Sequence, residues 1–291
     1  MATIVSAGIT WQRATLGGAL GERTTVTDSS ASHATLDYST QDRVASVTFV
    51  RPDEGNSLSE QALNDLNDVV VHVQGDHGVR VLVVRGRGGV FCTGVDAAVL
   101  EAAFGDLEYF EHVLTRVAAT CLSLEALDVP VIAAVGGIAS GAGFELALAC
   151  DLILASDDAQ IGDGQTTAGR VPGGGGTVRL PRAVGVQRAR ELIYSGRLLS
   201  GTEAAAIGLA LRSVPAASLD AEVAALTAEF VDKSRHALAV CKRQINGGLG
   251  LDTHSGVEHE RSEFMRYLNE TGTEAVEGFR PRREDRPPAW S

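Results

Sequence analysis

Three short segments carry the residue types and spacing that could do chemistry. One reads Gly136-Gly137-Ile138-Ala139-Ser140-Gly141-Ala142-Gly143-Phe144-Glu145, a small-residue turn that opens a helix. Free N–H groups at a helix N-terminus stabilise negative charge through hydrogen bonds and the aligned peptide dipoles. Gly141, Ala142 and Gly143 have almost no side chain, so a ligand oxygen can approach their backbone. Glu145 follows within the first helical turn, where a carboxylate can transfer a proton beside an oxyanion. A second segment, Phe91-Cys92-Thr93-Gly94-Val95-Asp96, supplies Gly94 and Asp96 as further substrate-binding candidates beside Gly141 and Gly143. The third runs Ile161-Gly162-Asp163-Gly164-Gln165 and leads into Pro172 and the glycines 173–176.

Each feature also has a plainer reading. Glycines before a helix make tight turns, and a Glu in a first turn compensates the helix dipole, worth about 0.5 kcal/mol. Asp163 reads first as a turn cap, and the glycine run as close helix–strand packing. No phosphate-binding or dinucleotide glycine fingerprint occurs.

These segments need strands and helices to hold them. Val44–Val50 alternates like a strand, and Arg51–Asn56 reads as a turn. Ser59 is a natural N-cap for a helix whose apolar face is Leu63, Leu66, Val69, Val70 and Val73. Val79–Val84, Val131–Val135 and Leu152–Ala155 are short apolar runs suited to buried strands, with helices over about 107–127 and 145–150 between them. Strand–turn–helix units across 43–235 imply an α/β architecture with short parallel strands. Beyond residue 236 the pattern is helical, over 236–246 and 257–268. The chain thus divides into a loosely ordered leader over 1–40, a core over 41–235, and a C-terminal helical region with a tail over 236–291. The tail from Phe279 to Ser291, with its prolines and four arginines, reads as solvated.

The 291 residues suit one large domain, and 44% hydrophobic with 21% charged residues is ordinary for a globular chain. A net charge of −12 disfavours nucleic acid and anionic membranes as partners. Cys92, Cys121, Cys150 and Cys241 have neither C-x-x-C spacing nor a neighbouring His at metal-ligand spacing. They read as free, mostly buried thiols of a reducing compartment, and no metal is expected. No apolar run reaches membrane-span length, and no secretory signal pattern opens the chain, so a cytoplasmic protein is expected.

Taken in order, these segments resemble the crotonase (enoyl-CoA hydratase/isomerase) superfamily from about residue 42 to 270. The resemblance rests on Arg51-Pro52 with Asn56-Ser57-Leu58, the 91–96 stretch, Pro130–Val135, Gly143–Ala147, Cys150-Asp151, Ala159–Gly162, Pro172–Thr177 and Ala204–Leu209. It implies a spiral of ββα units capped by C-terminal helices that build a trimer or a dimer of trimers. It also implies an acyl-CoA or carrier-protein thioester as partner, with coenzyme A part of the substrate and no separate cofactor. The oxyanion hole then falls on the backbone N–H groups of Val95 and Ala142, and the first of the two glutamates of the hydratases on Glu145. The second falls on Gln165, which cannot exchange a proton near neutral pH. Asp163, two residues earlier on the same face of an extended segment, is the other carboxyl that could serve. The resemblance implies hydration, dehydration or double-bond isomerisation. Another enolate reaction on a specialised thioester is the alternative, and a non-catalytic thioester-binding subunit is the rival of a different class. The acyl pocket is expected from residues 97–120 and from the C-terminal helices.

Overall fold

The computed structural model describes residues 29–278 and 290. The leader ends earlier than residue 40: β1 (Ser29–Ser32) and β2 (Leu36–Gln41) pair antiparallel, and β2 pairs antiparallel with β3 (Val44–Phe49). Leu36 and Tyr38 are buried, so this stretch belongs to the core sheet despite its polar composition. Alternation over so few residues is masked by the polar outward positions of β2. Residues 1–28 of the expected leader lie outside the described residues.

The core then winds as repeated turns. The chain passes from β3 through α1 (Glu60–Gly75) to β4 (Val81–Gly86), β5 (Val90–Cys92), α2 (Ala97–Phe104) and α3 (Leu107–Ala126). Next come β6 (Val131–Val135), β7 (Ile138–Ser140) and α4 (Ala142–Ala149). Then follow β8 (Leu152–Ser156), β9 (Gln160–Gly162), α5 (Gly176–Val184) and α6 (Val186–Ser195). β10 (Leu199–Ser200), α7 (Gly201–Ala206), β11 (Arg212–Val214) and α8 (Leu219–Val231) close the core. The first strand of each turn joins one sheet, ordered β1-β2-β3-β4-β6-β8-β11, in which the strands from β3 onward run parallel. The second strands form another, ordered β10-β9-β7-β5, with β5, β7 and β9 parallel. This is the spiral of ββα units, and it stacks β5, β7 and β9 so that the loops following them gather at one place.

Local chemistry sets the ends of these elements. Ser59 caps α1 by accepting from Ala62 N at 3.2 Å. β6 is apolar at every position because both its faces are buried: Ile132 and Ala134 pack with Leu219, Val223 and Leu226 of α8, and Val131, Ala133 and Val135 belong to the main core. α9 (Arg235–Gly248) and α10 (Thr253–Glu277) form the C-terminal helical region. The tail from Phe279 lies outside the described residues except at Trp290, whose Nε1 donates to Asp232 O at 2.8 Å. All four cysteines are free, and only Cys241 is exposed. Burial pushes the Cys92 and Cys121 thiols up to about 12, so they pack as apolar groups.

Candidate active site

The spiral brings the three segments together. The turn after β5 lies against the turn after β7, where Ser140 Oγ donates to Thr93 O at 3.3 Å. A side-chain carbon at Gly94 would stand 3.1 Å from Ala142 N, so only glycine allows this approach. Leu58 N donates to Gly94 O, and Asp96 N donates to Leu58 O, at 2.8 and 3.2 Å. That bridge uses both neighbours of Val95 and leaves the Val95 N–H on the other edge of the segment. Ala142 is the first residue of α4, and its N–H is one of the donors a helix leaves unpaired. Neither N–H is donated in the turn and cap bonds of the described residues.

A cavity of about 300 Å³ opens on these turns. Gly94, Val95, Gly141, Ala142, Glu145 and Gln165 form its reacting end. Leu100 and Phe104 of α2 with Phe110, Leu114 and Val117 of α3 form an apolar wall, as expected from the 97–120 region. No residue of α8, α9 or α10 lines it, so the expected contribution of the C-terminal helices is not made within one chain. Helix α9 docks instead on the far end of α3.

Glu145 lines the cavity yet is only 1% exposed. Its Oε1 accepts N–H bonds from Gly174 and Gly176, each at 2.8 Å. The glycine run expected to serve close packing therefore presents its backbone donors to the acid. Oε2 accepts no hydrogen bond among the described residues. Burial raises the Glu145 carboxyl above the usual range; the Gly176 and Gly174 donors oppose that rise, Asp163 adds to it, and Arg179 opposes it. Arg179 also holds the loop: Nη1 donates to Gly174 O at 2.7 Å, while Nε and Nη2 form a forked pair with Glu125 at 2.7 and 3.0 Å. Sequence reading missed Gly174, Gly176, Arg179 and Glu125. The available signal was the glycine run itself, a row of unhindered N–H groups at the start of α5.

Gln165 reaches the cavity and Asp163 does not. Asp163 is 3% exposed and lies behind Gln165, accepting from Gln165 N at 3.2 Å and from Nε2 at 2.9 Å. The turn-cap reading of Asp163 matches the first of these bonds. Two other candidates are displaced. Asp96 caps α2, accepting from Ala98 N at 3.0 Å and from Ser57 Oγ at 2.8 Å, so its carboxylate is used within the fold. Gly143 packs on β5, where a side-chain carbon would stand 2.1 Å from Cys92 O; it lets α4 approach the sheet and does not line the cavity. Among the described residues no group of three His, Cys, Asp or Glu side chains is arranged to hold a metal ion.

Sequence comparison agrees with this geometry. The chain matches the enoyl-CoA hydratase/isomerase family over residues 39–291. A mitochondrial enoyl-CoA hydratase domain-containing protein 2 of Homo sapiens is 37% identical over 254 residues, 85% of each chain. The mitochondrial methylglutaconyl-CoA hydratase of Rattus norvegicus is 35% identical over 241 residues, 81% of this chain and 75% of that one. The crystal structure of an enoyl-CoA hydratase from Bacillus anthracis superposes with a TM-score of 0.79 at 33% identity, covering 90% of this chain and 98% of the other. The chain belongs to the enoyl-CoA hydratase/isomerase family of the crotonase superfamily, and it is an enzyme of hydratase/isomerase type.

Proposed function

We propose that the cavity binds an enoyl-CoA thioester, with the carbonyl oxygen held by the N–H groups of Val95 and Ala142. Glu145 moves the proton at Cα, and Gln165 orients water or the acyl group. The observation that carries this reading is the state of Glu145. It is a buried carboxylate on the cavity wall, oriented by two neutral N–H donors and not neutralised by a cation. Such a group is held in place, and its raised pKa favours the taking up and release of a proton. The enolate that forms when Cα loses its proton places negative charge on the thioester oxygen, beside the two free N–H groups. Returning the proton to Cα gives exchange and delivering it to Cγ of a dienolate completes isomerisation; hydration adds water's hydroxyl to Cβ and a proton to Cα.

Incubation with a panel of acyl-CoAs in deuterated water tests this. Deuterium should enter at Cα of at least one of them, and absence of exchange across the panel refutes the reading. Arg170 refines the choice of acyl group. Among the described residues it is the only cation lining the cavity, and its side chain makes no ion pair. A distal carboxylate, as the name of the methylglutaconyl-CoA hydratases implies for their substrate, would supply its partner. Arg170→Leu should then raise KM for carboxylated acyl-CoAs roughly tenfold or more, while leaving uncarboxylated ones unaffected. The apolar side chains exposed on the C-terminal helices, among them Ile245, Val257, Phe264 and Met265, support self-association as a trimer or a dimer of trimers. Light scattering at micromolar concentration measures it.

A further inference from the structure

We propose that Asp163 and Gln165 form one hydrogen-bonded unit in which Asp163 is the positioning residue: its carboxylate takes the Gln165 amide N–H, leaves the amide carbonyl oxygen for the cavity, and bars a second acid at position 165. The proposal rests on the thioester reading above, which it deepens.

The geometry is specific. Asp163 Oδ1 accepts from Gln165 Nε2 at 2.9 Å, and Oδ2 accepts from Gln165 N at 3.2 Å, so both oxygens serve one residue. The Asp163 carbonyl accepts from Gly141 N at 2.8 Å, which ties the same residue to the turn that opens α4. An amide has a donor end and an acceptor end of nearly equal size, and by itself Gln165 could present either. Both Asp163 oxygens accept, so the carboxylate selects the Nε2 end and orients the amide. The atom left to the cavity is Oε1, which can accept from water or a substrate hydroxyl but cannot remove its proton.

The same contact explains why glutamine occupies this place. A glutamate at 165 would put two carboxylates where one N–H···O bond now stands, in a buried setting. The pair would share a proton, and the residue facing the cavity would no longer be an independent base. The charged groups around the cavity acid are Asp163 on one side and Arg179, itself paired with Glu125, on the other. Arg170 also lines the cavity, but the partner a second anion at 165 would meet at hydrogen-bond distance is the Asp163 carboxylate. Position 165 can carry a working acid only when position 163 carries an amide. The exchange Asp163→Asn with Gln165→Glu keeps the side-chain lengths and the bond while reversing its polarity. As it stands, the site has one titrating acid on the cavity wall. That suits reactions in which Glu145 both removes and returns the proton, and disfavours water addition.

The test uses the full chain in four forms: wild type, Asp163→Asn, Gln165→Glu and the double exchange. Carbon-13 carboxyl NMR follows each acid through pH without turnover. In Gln165→Glu the new carboxyl should titrate at least about one pH unit higher than in the double exchange. In Asp163→Asn, Glu145 should titrate lower than in wild type. Equal titration of the new carboxyl in the single and double forms, or an unmoved Glu145 in Asp163→Asn, overturns the proposal. In turnover, the double exchange should hydrate a short enoyl-CoA at least about tenfold faster than Gln165→Glu. A single variant that hydrates as well as the double also overturns it. Should Gln165→Glu fail to fold, the Glu145 shift in Asp163→Asn still decides. The thioester reading fails separately: wild type would then show no Cα exchange even though NMR finds the expected coupling.

Discussion

Helix α4 has a buried carboxylate in its first turn and a partly exposed one just past its end, and the two are treated differently. Burial raises both Glu145 and Asp151. Asp151 is answered by a cation: Lys242 of α9 lies 2.8 Å from its Oδ2, and Val131 N donates to the same oxygen at 2.7 Å. Lys242 also donates to the carbonyls of Leu124 and Val129 at 3.1 and 3.2 Å. That cluster fastens the C-terminal helices to the end of α3 and the start of β6. Glu145 is answered by two N–H groups that carry no net charge. A cation draws a carboxylate toward its ionised form and joins two parts of the fold; neutral donors orient it without adding a charge. One arrangement makes a joint and the other suits the proposed proton transfer.

The sharpest test of this contrast is Glu145→Gln. Cα exchange should fall by roughly a hundredfold or more, with the melting temperature little changed. A variant that keeps near-wild-type exchange would move the proton-transfer role elsewhere. The counterpart at the other end of α4 is Lys242→Met. It leaves the partly exposed Asp151 without its cation and two carbonyls without their donor, and should cost about 1–2 kcal/mol in urea denaturation. Exchange per folded molecule should stay unchanged, and a selective loss of exchange would erase the distinction between joint and catalyst.

Gly174→Ala probes the donors. The added methyl would stand 2.8 Å from Glu145 Oε2 and 3.0 Å from Val117 Cγ1, and the neighbouring glycine N–H groups must shift with it. Exchange should drop about tenfold, equivalent to about 1.4 kcal/mol, with a stability loss of about 1 kcal/mol from overpacking. Unaltered exchange would mean that the glycine donors do not set the acid's position. The smallest effect is on stability against pH. Because the folded state raises the Glu145 pKa, its contribution is fully present below the unfolded value of about 4.3 and is lost as pH rises through the raised folded value. Glu145→Gln should therefore lose less stability than wild type as pH rises from the unfolded value through the raised folded one. Parallel curves would show that Glu145 is not raised.

Much of the fold was legible in local pattern. Ser59, the apolar run Val131–Val135 and the small-residue turn before Glu145 each specify their own conformation through capping, burial on both faces and unhindered N–H groups. Strand β2 was not legible, because its short polar alternation carries too little apolar signal to separate it from a leader. Asp96 and Gly143 show a different limit. Residue type suggested ligand contact, but Ser57 and the N-terminus of α2 claim the Asp96 carboxylate, and the carbonyl of Cys92 claims the space at Gly143.

The sequence by itself determined that Glu145 opens a helix behind side-chain-free residues and that position 165 holds an amide, since both follow from neighbours along the chain. Only the tertiary structure decided what those two groups can do. The donors to Glu145 come from 29 and 31 residues away. The Asp163 partner of Gln165 is close in sequence, but it is turned and buried by a bond to Gly141. Protonation depends on burial and on what faces the group across space, and that is settled when the spiral stacks its turns.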